Sequence, residues 1–167
     1  MDLRPDLRVD RVEDVAPDLL RRHGLDGLLL DLDETLLPAS QDRPAASVTS
    51  WARSLLRAGV RLAILSNGAP RRVARVAREL GVPGLALVGK PWPGAVRRGL
   101  RRLGLPPARV AIVGDQLFTD VLAARWSGTR AILVSPLSSG GMPHTRALRR
   151  LETRILKGDD RGRPVHR

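Results

Sequence analysis

Five short apolar runs, at residues 25–30, 60–65, 85–88, 109–113 and 131–134, alternate with longer stretches of helical periodicity. No other feature of the chain narrows its fold so far. Strands that are apolar throughout must be covered on both faces, and helices between successive strands supply that cover. The spacing predicts helices over 14–23, 45–58, 70–80, 93–103 and 117–127, with one more over 145–156. Pro17, Pro70 and Pro93 stand in first turns, and Gly24, Gly59, Gly81, Gly104 and Gly128 follow last turns. The fold expected is α/β: a Rossmann-like, three-layer arrangement with a five-stranded parallel sheet between helices. Residues 1–24 read as an extended lead-in and a short helix, and 25–137 as the core. Residues 138–157 read as a loop and helix, and 158–167 as a disordered basic tail. A chain of 167 residues is long enough for one well-packed domain.

In such sheets ligands collect at the carboxyl ends of the strands. The first run passes directly into Asp31-Leu32-Asp33-Glu34-Thr35. Residues two apart on a strand point the same way, so Asp31 and Asp33 begin on one side. Two carboxylates so close call for a cation or a proton between them. The later runs end at Ser66-Asn67-Gly68, Gly89-Lys90-Pro91 and Gly114-Asp115-Gln116. Asn67 is the only asparagine, Lys90 one of two lysines, Gln116 one of two glutamines and Phe118 the only phenylalanine.

Singly, these residues have plain structural readings. Ser66-Asn67-Gly68 is a turn, Lys90 a solvated charge, and Asp115 and Asp120 acids near a helix start. Jointly they bring carboxylates, a hydroxyl and an ammonium to one rim. Carboxylates without His or Cys suit a hard divalent cation, Mg2+ above all. A small hydroxyl beside a helix N-terminus suits a phosphoryl oxygen, and a lysine adds a point charge. The set suits phosphoryl transfer through an aspartyl-phosphate.

The four segments, with Gly114-Asp115-Gln116-Leu117-Phe118-Thr119-Asp120 as the last, resemble the signature of the haloacid-dehalogenase-like phosphatases. The likeness covers residues 25–137. Lys90-Pro91 followed by Gly-Asp-Gln-x-x-Thr-Asp is similar to the YqeG-type branch of subfamily IIIA, related to the fungal mitochondrial-type phosphatidylglycerophosphate phosphatases. The resemblance implies Asp31 as nucleophile and magnesium ligand. It implies Asp33 as general acid and then base, with its backbone carbonyl on the metal. Ser66 and the amide of Asn67 would bind the phosphoryl group, and Lys90 would offset its charge. Asp115 would hold the metal, Asp120 would orient Lys90 or stand behind the metal ligands, and Thr35 would support the loop. An acid at position 33, where related ATPases carry Thr, favours hydrolysis.

Relatives in that superfamily often insert a cap domain. Here the gaps after Asp33 and between Ser66 and Lys90 have no room for one, so no large cap and an open site are expected. An open site can reach a phosphate that projects from something large. Candidate partners are therefore an anionic phospholipid at a membrane surface, a soluble or nucleic-acid-linked phosphate, and a neighbouring subunit in an oligomer. A different class of reading is a basic RNA- or ribosome-associated binding protein with an idle site.

The net charge of +12 fits either an anionic surface or simple arginine bias, since 27 of the 29 basic residues are arginine. Few aromatics argue against base stacking on single strands. Trp92 could insert at a membrane interface, although packing under the 93–103 helix is the preferred reading, and Trp51 and Trp126 are expected in the core. His144, Arg146, Arg149, Arg150 and Arg154 could form a basic helical face. Without cysteine, signal pattern or a long apolar run, the chain reads as cytoplasmic, peripheral at most at the inner membrane surface.

Overall fold

The computed structural model describes residues 3–138. In chain order these form β1 (Leu7–Val9), a 3-10 turn (Val12–Asp14), α1 (Pro17–Arg22), β2 (Gly27–Leu30), α2 (Ala46–Arg57), β3 (Arg61–Leu65), α3 (Pro70–Leu80) and β4 (Gly84–Leu85). There follow α4 (Pro93–Leu103), a 3-10 turn (Pro107–Arg109), β5 (Val110–Gly114), a π-helical turn (Leu117–Val121), α5 (Leu122–Ser127) and β6 (Arg130–Val134). The expected helix over 145–156, its basic face and the tail over 158–167 lie outside the described residues.

The sheet is parallel throughout, in the order β1-β6-β5-β2-β3-β4. It has six strands rather than the five expected. The extra strand is β1, in the stretch read as lead-in. Its three residues lack an apolar run, and it is recruited by pairing Leu7 with Ile132 and Val9 with Val134 at the sheet edge. β4 is also shorter than the apolar run suggests, because Leu87 takes a positive φ of 48° and turns the chain out of the sheet.

Strand parity sorts the core into two layers. Leu28, Leu30, Leu62, Ile64, Ala111 and Val113 pack with Trp51, Leu55, Val73 and Val76 of α2 and α3. On the other face α4 comes so near β2 that a Cβ on Gly99 would lie 2.7 Å from the Leu29 side chain. Trp51 is buried as expected, its Nε1 donating to the Val15 carbonyl at 2.9 Å.

Trp92 and Trp126 are not. They are 67% and 41% exposed, and their rings lean on each other, 5.9 Å apart and inclined by 39°. Trp92 precedes the first turn of α4, where the chain is still outside the helix packing, and α5 turns Trp126 outward.

This topology decides where a site can be. From β2 the chain winds outward through β3 to β4, then crosses back to β5 and β6 on the other side. β2 and β5 therefore flank the switch point, and their carboxyl ends open a crevice there.

Candidate active site

Asp31 continues directly from β2, its N–H donating to the Val113 carbonyl at 2.8 Å, so the sheet itself fixes its place. After Asp33 the chain curls back: Glu34 takes a positive φ of 64°, and its N–H donates to the Leu37 carbonyl. β3 ends at Leu65, and Ser66 follows it, its Oγ accepting the Gly68 N–H at 2.9 Å. The Lys90–Pro91 peptide bond is cis. Asp115 follows β5, and Asp120 comes from the π-helical turn after it.

Lys90 sits at the centre. Its Nζ donates to Asp31 Oδ1 at 2.7 Å and to Asp120 Oδ1 at 2.6 Å, with the lysine and Asp120 side chains only 2% exposed. Burial works against the ammonium, but the Asp120 and Asp31 carboxylates outweigh it and raise its pKa above the usual lysine range. Asp120 is pushed up to about 6: burial raises it, and the negative charge of Asp31 adds to that, so the nearby Lys90 compensates only in part. The carboxylates of Asp31, Asp115 and Asp120 each offer an oxygen within 4.8 Å of the others. A buried set of oxygen donors alone fits a hard divalent cation.

Asp33 stands at the mouth, with its side chain 38% exposed. A Cβ placed on Gly68 would be 3.2 Å from Asp33 Oδ2 and 3.1 Å from Ser66 Oγ, so these two side chains border one small space. The structure thus gathers Asp31, Asp33, Ser66, Lys90, Asp115 and Asp120 at one end of the sheet. Thr35 is buried just behind, and its hydroxyl has no hydrogen-bond partner among the described residues, so it fills space in the loop.

Three contributions escape a reading of the sequence. The Asn67 side chain clamps the Lys90 backbone in both directions, Oδ1 accepting its N–H at 2.8 Å and Nδ2 donating to its carbonyl at 3.2 Å. The rarity of asparagine marked the position but not this role. Gly114 has no side chain because a Cβ there would lie 2.2 Å from Asp120 Cγ. Arg72, on the first turn of α3, donates through Nε to Asp33 Oδ1 at 2.9 Å. One arginine among 27 carries no compositional signal; only its place just after the Ser66 loop could have pointed to it.

The family described as haloacid dehalogenase-like hydrolase matches residues 8–128. The chain is 34% identical to the probable phosphatase YqeG of Bacillus subtilis, over 91% of this chain and 88% of that protein. It is 27% identical to phosphatidylglycerophosphate phosphatase 1 of Arabidopsis thaliana, over 92% of this chain but 47% of that longer protein. In fold it is similar to an uncharacterised protein of Listeria monocytogenes, with a TM-score of 0.56 at 20% identity over 71% of this chain and 85% of the other. The same holds for the deoxy-D-mannose-octulosonate 8-phosphate phosphatase of Haemophilus influenzae, with a TM-score of 0.54 at 15% identity over 67% and 69%.

Proposed function

The chain belongs to the haloacid dehalogenase-like hydrolase family and is a phosphatase, and from that premise we propose that it hydrolyses phosphatidylglycerophosphate with Mg2+, through a phosphorylated Asp31. The observation that carries the chemical reading is the position of Lys90 Nζ, shared between Asp31 and Asp120 at 2.7 and 2.6 Å. An ammonium held there keeps one Asp31 oxygen oriented and places positive charge where a phosphoryl group would arrive. The lipid substrate is supported by the likeness to plant and algal proteins named phosphatidylglycerophosphate phosphatases, at 27% and 28% identity.

In this mechanism an Asp31 carboxylate oxygen attacks phosphorus as the ester P–O bond breaks. Asp33 delivers its proton to the departing alkoxide oxygen. Then Asp33, now a carboxylate, takes a proton from water while the water oxygen attacks the aspartyl-phosphate. Inorganic phosphate leaves and Asp31 is restored. Ser66 Oγ and the amide of Asn67 hold phosphoryl oxygens, and Lys90 offsets their charge. Asp31 and Asp115, with the backbone carbonyl of Asp33, would hold Mg2+, which would supply the remaining charge neutralisation. The half-exposed place of Asp33 suits a leaving group that extends out of the site. Among the described residues no domain covers that mouth.

Phosphate release from phosphatidylglycerophosphate in mixed micelles, with and without Mg2+, tests the reading beside an aryl phosphate and Asp31→Asn. Metal-dependent turnover of the lipid well above the aryl ester, abolished in the variant, is the expected result. Turnover of the aryl ester alone keeps the chemistry and discards the lipid. Release by Asp31→Asn at the wild-type rate overturns the nucleophile.

A further inference from the structure

The segment that supplies Lys90 to the site turns two large apolar side chains the other way. Lys90 is 6% exposed, whereas Leu87 is 65% and Trp92 67% exposed. Trp92 leans on the exposed Trp126 of α5, so the two indoles make one patch drawn from two elements. Leu87 is held outward by its backbone, with φ 48°, and its N–H reaches back to the Gly68 carbonyl beside the phosphate pocket at 3.4 Å. An exposed leucine alone means little. An exposed indole pair, with a leucine on the same active-site loop, calls for a partner.

The surrounding charge says which kind. From Gly84 to Ser127 the only acids are Asp115 and Asp120, and both are buried. Over the same stretch Arg97, Arg98, Arg101 and Arg102 line the exposed side of α4, with Arg125 next to Trp126. Arg98 donates to the Val88 carbonyl at 3.2 Å, within the same loop. Every solvent-facing charge that this stretch itself contributes is therefore positive, although Arg125 is ion-paired with Asp6 at 3.3 Å. Indoles flanked by arginines suit the boundary between headgroups and acyl chains of an anionic bilayer, where the rings are half-immersed and the guanidiniums meet phosphate. Single-stranded nucleic acid fits less well. The indoles are committed to each other at 39° instead of splayed for bases, and Leu87 has no stacking face.

We propose that Leu87, Trp92 and Trp126, flanked by Arg97 and Arg98, form a docking surface for an anionic lipid bilayer beside the mouth of the active site. This rests on the lipid-phosphate reading above and extends it: the surface recruits the enzyme to the membrane, and the open mouth then meets the phosphate there without extraction of the lipid.

Cosedimentation of the full chain with vesicles of phosphatidylglycerol in phosphatidylcholine, and with phosphatidylcholine alone, tests it without using turnover. Binding to the anionic vesicles only is expected, with tryptophan emission shifted to shorter wavelength. Trp92→Ala is expected to weaken binding by about tenfold, and Arg97→Ala or Arg98→Ala by about fivefold each. Leu87→Ser, at an exposed site, serves as the second apolar variant, and melting temperature confirms that each variant is folded. Binding unchanged in both Trp92→Ala and Leu87→Ser overturns the proposal, as does a folded wild-type enzyme that ignores anionic vesicles. Loss of single-stranded RNA binding in Trp92→Ala with vesicle binding intact overturns it in favour of RNA. Hydrolysis of an aryl phosphate, measured in parallel, separates the two readings: turnover without vesicle binding sinks the surface and leaves the phosphatase chemistry standing.

Discussion

Arg72 Nε donates to Asp33 Oδ1 at 2.9 Å, while its NH2 reaches the Pro38 carbonyl at 3.0 Å and its NH1 the Gln41 carbonyl. One guanidinium thus fastens the acid at the mouth and the loop that follows it to the first turn of α3. With Oδ1 occupied, Oδ2 is the oxygen left beside Gly68 and Ser66. Arg72→Ala is expected to lower kcat by about tenfold to a hundredfold, because Asp33, the proposed general acid, loses its orientation. Arg72→Lys keeps the charge without the fork and should recover little. Added guanidinium ion should restore part of the kcat of Arg72→Ala, a rescue that a merely structural role would not give.

Among the described residues Lys90 alone bridges two buried carboxylates, Asp31 and Asp120, and removing it strands both of them. Lys90→Met is expected to cost about 3–5 kcal/mol of stability in the metal-free protein, as measured by urea unfolding, and to abolish turnover. A loss below about 1 kcal/mol, the range of a surface ion pair, would mean that the three groups do not share a proton-tight network.

The raised pKa of Asp120 gives a pH dependence with a definite sign. The folded protein holds a proton there up to about pH 6, whereas the unfolded chain releases it near 3.8. Stability from this group is therefore fully present below 3.8 and is lost as pH rises through 6. The stability of wild type relative to Asp120→Asn, without metal, should fall by an amount on the order of 3 kcal/mol between about pH 4 and pH 7. Denaturation curves of both proteins at matched pH check this. A difference that grows with pH would mean that Lys90 keeps Asp120 ionised throughout.

Gly114→Ala tests a close approach, not a turn. The new methyl would sit 2.2 Å from Asp120 Cγ, so the Asp120 side chain must move off Lys90. The expected cost is about 1–3 kcal/mol, with turnover reduced at least as strongly as in Asp120→Ala. Equal activity in Gly114→Ala and wild type would show that the Lys90–Asp120 contact is dispensable.

Much of this site was legible because its residues lie where apolar runs stop. Asp31, Ser66, Lys90 and Asp115 could be located from periodicity alone, since a parallel sheet delivers all its strand ends to one edge. The chemistry proposed for them follows from residue type. What escaped were contacts whose partners are distant in sequence. Arg72 and Asp33 are 39 residues apart, and Asn67 and Lys90 are 23 apart. The edge strand Leu7–Val9 escaped for a related reason, since its pairing with β6 spans almost the whole described chain.

The two outward indoles mark the limit from the other side. Burial of a tryptophan depends on which side of its helix meets the sheet, and for short α5 and the pre-helical Trp92 no repeating pattern announces that side. By itself the sequence determined the layered fold and the inventory of groups at its rim, because those depend on local periodicity and on side-chain chemistry. Only the tertiary structure decided that Lys90 points inward between two acids while Trp92, two residues on, points out. That choice is made by packing and by the balance of charge in a buried space, which no short stretch of chain encodes alone.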